Sequence, residues 1–195
     1  MEIVRAEECR VMPWKNGGGS TTEIAAGPPG ASLDGFDWRV SMARVASDGP
    51  FSHFAGIDRT LALVEGGGME LTIEGRGSVM LSRGGDPLVF PGDVPVLARL
   101  LAGAITDLNV MTRRGRYTHQ LARLTPSTPF GIGNDIDIAL VLVLGGSAEV
   151  EAAGARTRLG PGDSLILRAP MAGDIRMMPA GAAESYLVLL RQGRP

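Results

Sequence analysis

The sequence predicts an all-β protein folded as two jelly-roll-type β-barrels or sandwiches packed in one compact body. Three observations carry this: short apolar runs punctuated by turn residues, no sustained helical period, and an ordered set of landmarks that occurs twice.

The 28 glycines and 13 prolines of the 195-residue chain are spread between the apolar runs. Glycine supplies positive φ and proline presets φ, so this spacing marks turns between many strands. The runs are 38–45, 60–64, 69–73, 87–90, 107–111, 136–144, 148–152, 164–167 and 185–190, most of them of ordinary strand length. Only 97–101 offers a short helical pattern, with Pro95 just ahead of it.

The landmarks are three. Leu61-Ala-Leu-Val-Glu-Gly-Gly-Gly-Met-Glu-Leu71 matches Leu140-Val-Leu-Val-Leu-Gly-Gly-Ser-Ala-Glu-Val150, Pro91-Gly92-Asp93 matches Pro161-Gly162-Asp163, and the stretch from Gly103 to Arg113 matches that from Gly181 to Arg191. The separations are 79, 70 and 78 residues, which predicts a longer loop near 76–85 in the first copy. The expected division is an N-terminal half at 1–112, carrying a ligand pocket, and a C-terminal half at 113–195, joined through 113–119.

A formal charge of −2 lacks the basic footprint that neutralises phosphates, so no nucleic-acid partner is expected. No apolar run approaches the length needed to cross a bilayer, and Glu2, Arg5, Glu7, Glu8 and Arg10 break any signal-peptide core. The expectation is a cytoplasmic protein without a membrane partner. The single cysteine, Cys9, excludes an internal disulfide and reads as a structural thiol.

Paired short-strand halves of this kind resemble the cupin superfamily, making the expected fold a bicupin. Metal-bearing cupins carry two histidines and a glutamate before a glycine, then a later histidine. Here Arg59 stands where the glutamate would, His53 is the one histidine near the early pair, and Pro95 takes the late position. A transition metal needs three or more suitable donors, so neither a metal nor any other cofactor is expected.

Strand alternation suggests what replaces it. In 107–111, Asp107, Asn109 and Met111 share one face, and in 38–43 Arg39 and Ser41 share another. If these faces look into the first barrel, Arg39, Ser41, Arg59, Asp107 and Asn109 line a pocket, where an arginine fork suits a carboxylate. Otherwise they meet solvent, or Arg59 forms a structural ion pair with Asp58 or Asp107. The stretch Pro13-Trp-Lys-Asn-Gly-Gly-Gly19 lacks the phosphate-loop spacing and reads as a turn where backbone passes close to backbone or ligand, with Trp14 as core or pocket wall.

Taken in order, Pro13 to Gly19, Thr22-Glu23-Ile24, Trp38-Arg-Val-Ser41, Gly49-Pro-Phe-Ser52, Gly56-Ile-Asp-Arg59 and Asp107-Leu-Asn-Val-Met111 resemble the HutD/Ves family. The resemblance implies a bicupin. For the HutD branch it implies a role in histidine utilisation, through binding an intermediate such as N-formylglutamate; for the Ves branch it implies a stress response. It supplies no catalytic residues. Its motif segments contain Trp14, Lys15, Asn16, Glu23, Arg39, Ser41, Ser52, Arg59, Asp107 and Asn109, the expected ligand-binding set. The leading expectation is a binder of a small polar or anionic molecule, not an enzyme. The alternatives are a metal-independent hydrolase or isomerase using Asp107 with an arginine, and an oligomeric interaction protein, for which a homodimer is the expected assembly.

Overall fold

The structure is a computed structural model, and it describes residues 1–124, 132–152, 154–170 and 175–193. Its strands are β1 (Glu2–Val4), β2 (Arg10–Pro13), β3 (Gly19–Gly27), β4 (Trp38–Val45), β5 (Gly49–Pro50), β6 (Ile57–Glu65), β7 (Met69–Ile73), β8 (Gly77–Leu81), β9 (Leu88–Pro91), β10 (Val96–Leu100), β11 (Ile105–Arg113), β12 (Tyr117–Leu124), β13 (Ile138–Ala152), β14 (Ala155–Leu159), β15 (Ser164–Arg168) and β16 (Arg176–Gln192). The only helical element among the described residues is a single 3-10 turn at Ala6–Glu8, and no helix is long and apolar enough to cross a membrane. The stretch at 97–101, the one helical candidate, lies mostly in β10, where Val96 and Ala98 are buried and Leu97 and Arg99 exposed. That is the two-residue period of a half-buried strand.

The chain divides into two compact units, one of residues 10–117 and the other of residues 1–9 together with 118–195. The expected boundary at 112/113 therefore falls inside β11, and the first nine residues join the later unit because β1 pairs with β15, Ile3 opposite Leu165.

In the unit of residues 10–117, a six-stranded sheet ordered β2-β3-β4-β11-β6-β9 faces a four-stranded sheet ordered β5-β10-β7-β8. Leu61, Leu63, Phe90 and Ile105 from the first meet Met69, Leu71, Ile73 and Leu81 from the second in one buried cluster. These are apolar side chains at alternate positions, mostly leucine, isoleucine and phenylalanine, which is why two antiparallel sheets pack face to face here.

In the other unit the hydrogen-bonded order is β1-β15-β13-β16-β12, with β14 on β13. Here β13 runs on through register breaks at 143–147, so its first part pairs with β15 and its last part with β14. Ala139, Val141, Val143, Val150, Leu165 and Leu187 belong to its buried cluster.

The repeat is real but differently framed. The turn Ser82–Gly85, closed by the Gly85 N–H to the Ser82 carbonyl, corresponds to Gly160–Asp163, closed by the Asp163 N–H to the Gly160 carbonyl. Each turn follows a hairpin strand, and each has a positive-φ glycine, Gly84 (77°) and Gly162 (84°). Pro161-Gly162-Asp163 therefore matches this turn and not Pro91-Gly92-Asp93, which sits at the end of β9; the expected loop at 76–85 is mostly the strand β8, and the first copy is longer only in the connection 82–87 against 160–163. The strand match also slips. Leu61 faces inward, but inward in β13 are Ala139, Val141 and Val143, so its counterpart is Val141 and not Leu140. A slip of one residue exchanges the two faces of a strand.

Asp163 fastens the N-terminal strand to its unit. Its carboxylate accepts the Ala6 N–H and the Gly160 N–H, both at 3.0 Å, and a 2.7 Å bond from Arg5. Cys9 is half-buried beside it, its thiol donating to the Arg5 carbonyl at 3.5 Å; burial pushes the thiol pKa up, and Glu8 and Asp163 add to the rise. We expect Asp163→Ala to destabilise the protein by about 1–3 kcal/mol in denaturant melts, because two backbone donors lose their acceptor. Hydrogen exchange should show the amides of β1 opening first.

Candidate functional site

The inner face of the six-stranded sheet changes character along its length. Register places Ala43 and Leu63 on either side of Asp107, Ser41 and Leu61 on either side of Asn109, and Arg39 and Arg59 on either side of Met111. The strands are long enough that both sheets of the core close around the apolar rows, while the polar rows open into a cavity of 620 Å³ within this unit. Arg39, Ser41, Arg59, Asp107 and Asn109 line it, and all five are buried. Of the two directions that alternation left open, the structure takes the inward one, and the solvent-facing alternative does not hold.

The two arginines differ. Arg39 donates through Nε to Glu23 at 2.7 Å and through a terminal nitrogen to the Ser41 hydroxyl at 3.4 Å. Glu23 thus supports the pocket from behind Arg39 and is not among the residues that line it. Arg59 has no such carboxylate contact: one terminal nitrogen reaches the Ser52 carbonyl at 3.4 Å, and its Nε has no hydrogen-bond partner. Its guanidinium lies 5.1, 5.6 and 5.2 Å from the ring centres of Phe51, Phe54 and Phe90. Ring faces attract a cation by roughly 0.5–2 kcal/mol each, but they do not satisfy its N–H groups. Burial lowers its pKa to about 10; Asp107 opposes that shift and Arg39 adds to it. Asp58, the other expected ion-pair partner, binds Arg114 instead, at 2.7 Å.

Asp107 is 1% exposed, and its Oδ1 has no hydrogen-bond partner; the same is true of Asn109 Oδ1. Burial pushes the Asp107 pKa up to about 7, against the downward pull of Arg59. The lining residues therefore include one buried donor and two buried acceptors without partners, an arrangement that costs stability.

Trp14, Lys15, Asn16 and Ser52 also line the cavity. Trp14 is both wall and core edge: it packs against the apolar cluster and donates through Nε1 to the Thr21 hydroxyl at 2.8 Å. A side chain on Gly19 would strike the Arg44 carbonyl and come within 3.0 Å of the Trp14 ring, which explains this glycine as a close backbone approach. Asn16 folds back to accept the Gly18 N–H at 3.0 Å, while Lys15 is exposed at the mouth. Sequence reasoning missed the aromatic cage, because Phe51, Phe54 and Phe90 come from a loop and a strand that only the closed barrel brings around Arg59.

The donor set does not fit the divalent metal that many cupins hold. Asp107 is the only carboxylate among the five buried polar residues, and the Arg59 and Arg39 guanidinium groups would oppose a cation. Among the described residues no three His, Cys, Asp or Glu side chains form a metal-binding group, and His53 lines a separate, shallower groove with Glu74 and Pro95.

In the other unit the positions corresponding to Arg59, Asp107 and Asn109 are Ala139, Ser185 and Leu187, so these three polar side chains are not repeated there.

A raised folded-state pKa for an acid means that the folded protein keeps a proton the unfolded chain has released. Stability from Asp107 is therefore full below about pH 4, falls as pH rises toward about 7, and levels off above it. We expect Asp107→Asn, which cannot titrate, to gain several degrees in melting temperature relative to the wild type on going from pH 4.5 to pH 8. A difference that does not vary with pH would contradict this environment for Asp107.

Comparison with known proteins agrees with this architecture. An uncharacterised 21.2 kDa protein of the hutC 3′ region of Pseudomonas putida is 41% identical over 121 residues, 62% of this chain and 63% of that protein. Protein Ves of Citrobacter koseri is 43% identical over 118 residues, 60% of each. The aligned part thus spans about three fifths of those relatives. The structure of HutD from Pseudomonas fluorescens SBW25 superposes with a TM-score of 0.84 at 34% identity, covering 100% of this chain and 99% of that one. A cupin 2 conserved barrel protein from Leptotrichia buccalis, at 14% identity and a TM-score of 0.56 over 88% of each chain, shares the fold. The profile of the HutD family matches residues 6–184, and the chain belongs to the HutD family, on a cupin-type fold.

Proposed function

We propose that the protein binds a small carboxylate-bearing metabolite in the cavity of residues 10–117, using Arg59 as the anion receptor and no metal. The observation that carries this reading is Arg59 itself: a buried guanidinium that lines a cavity, has no carboxylate in contact and leaves its Nε without a partner. A planar fork in a dry site is worth most to a bidentate anion. Arg39, already neutralised by Glu23, serves to hold Ser41 and the sheet in place. The cavity volume is within the range of pockets that enclose a small molecule.

The P. putida relative is named for its position beside hutC, and the HutD resemblance points to histidine utilisation. The binding is proposed to be regulatory and cytoplasmic, with N-formylglutamate, glutamate and urocanate as first candidates. The Ves branch would place the same pocket in a stress response.

One observation favours a second reading, an enzyme. A buried carboxyl whose pKa is pushed to about 7 inside a cavity is suited to accept and return a proton at neutral pH. Turnover of a bound ligand, lost in Asp107→Asn, would establish it.

Calorimetry should give heat with at least one of N-formylglutamate, glutamate and urocanate. Arg59→Ala, checked for its fold by circular dichroism, should weaken that binding by about tenfold or more, the loss of one charge-assisted contact. Equal affinity in this variant would remove Arg59 from the site, and no heat with any of the three would remove this set of ligands.

A further inference from the structure

The buried charges and unpartnered atoms of the cavity restrict the ligand beyond its carboxylate, a restriction that rests on the carboxylate reading of the site. With Arg39 paired to Glu23, the buried ionisable groups left to the cavity are Arg59 and Asp107, one basic and one acidic. Lys15 and Asp48 also line it, but both are exposed, where water screens them. A carboxylate alone would neutralise Arg59 and force Asp107 either to remain a second buried anion, which is costly at low dielectric, or to hold a proton, whereas an ammonium beside it lets it ionise.

The unpartnered atoms carry the same polarity. Arg59 Nε needs an acceptor, whereas Asp107 Oδ1 and Asn109 Oδ1 both need donors. Asp107 and Asn109 are alternate residues on the inner face of β11, and the next inward position on that strand, Met111, lies opposite Arg59. Steps between such positions are about 7 Å, so an acceptor pair and a donor succeed one another along a single wall. An ammonium brings three donors and a positive charge to the acceptor end, which an amide or hydroxyl cannot match in charge.

We propose that the cavity takes a zwitterionic α-amino acid, its carboxylate on Arg59 and its ammonium between Asp107 and Asn109. The ligand is then neutral across its head group, as is the pair of buried residues that receives it.

The test is calorimetry on the whole chain with glutamate, histidine and alanine, each against its N-formyl derivative, which keeps the carboxylate and replaces the ammonium by a neutral amide. At least one free amino acid should bind about tenfold or more tightly than its derivative, the difference expected for one charge-assisted contact in a buried site. Asp107→Asn should bring that ratio close to one, and Asn109→Ala should reduce it if Asp107→Asn does not fold. N-formyl derivatives that bind as well as the free amino acids, or urocanate binding alone, would overturn the zwitterion and leave the carboxylate reading standing. Absence of binding by every compound in both panels would remove the two together. A preference that survives in folded Asp107→Asn would overturn the role given to Asp107.

Discussion

Arg59 inside the barrel is the constraint around which the first unit is arranged. A guanidinium 5% exposed must be surrounded by groups that tolerate its charge, and those here are three phenylalanine faces, one backbone carbonyl and the field of Asp107. Each belongs to a different piece of the fold: Phe51 and Phe54 to the loop after β5, Phe90 to β9, and Asp107 to β11. The loop and these strands must therefore be placed correctly together, or a buried cation is left in apolar surroundings. The Pro-Gly-Asp turn after β9 shares in this, because a side chain on Gly92 would come within 3.1 Å of the Arg59 stem. Asp93 beside it holds Arg114 at 2.7 Å and the Gly56 N–H at 3.2 Å.

The two units answer one architectural problem in two ways. Where Arg59, Asp107 and Asn109 stand in one, Ala139, Ser185 and Leu187 stand in the other, and its interior is mostly apolar. The apolar interior adds stability by burial; the polar one gives part of that up for a shaped, charged space. Buried unpartnered atoms occur in both units, but in the other they include the small hydroxyls of Ser164 and Ser185, whereas here they belong to a guanidinium, a carboxyl and an amide.

Much of this is legible from residues alone, for identifiable reasons. Strand alternation at 38–43 and 107–111 separates the two faces of each strand correctly, since period-two patterning directly reflects the pleat, but which face turns inward is not legible from it; β4 has the expected bounds. The strands β1, β2, β3, β5, β8, β12 and β14 are not legible because they lack a strong apolar alternation: Gly19–Gly27 has only Ile24 and Gly27 fully buried. The repeat is visible but misframed at Pro-Gly-Asp, because identical turn residues can close different turns, whereas the hydrogen-bond partners distinguish them. Nine of the ten candidate site residues line the cavity and the tenth, Glu23, stands behind it, yet the residue pattern treats Arg39 and Arg59 alike. Only the position of Glu23 across the strand pair, two strands from β11, separates a neutralised arginine from an available one.

The placement of β1 sets an order of events for folding. Glu2–Val4 must pair with Ser164–Ile166, and the whole unit of residues 10–117 lies between them in the chain. Closing so long a loop is slow, so the strand remains an unpaired edge until its partner has been made. The pocket-bearing unit contains none of these residues and can reach its fold first. An N-terminal fusion or truncation would then act on the unit without the pocket, at the sheet edge that this strand covers.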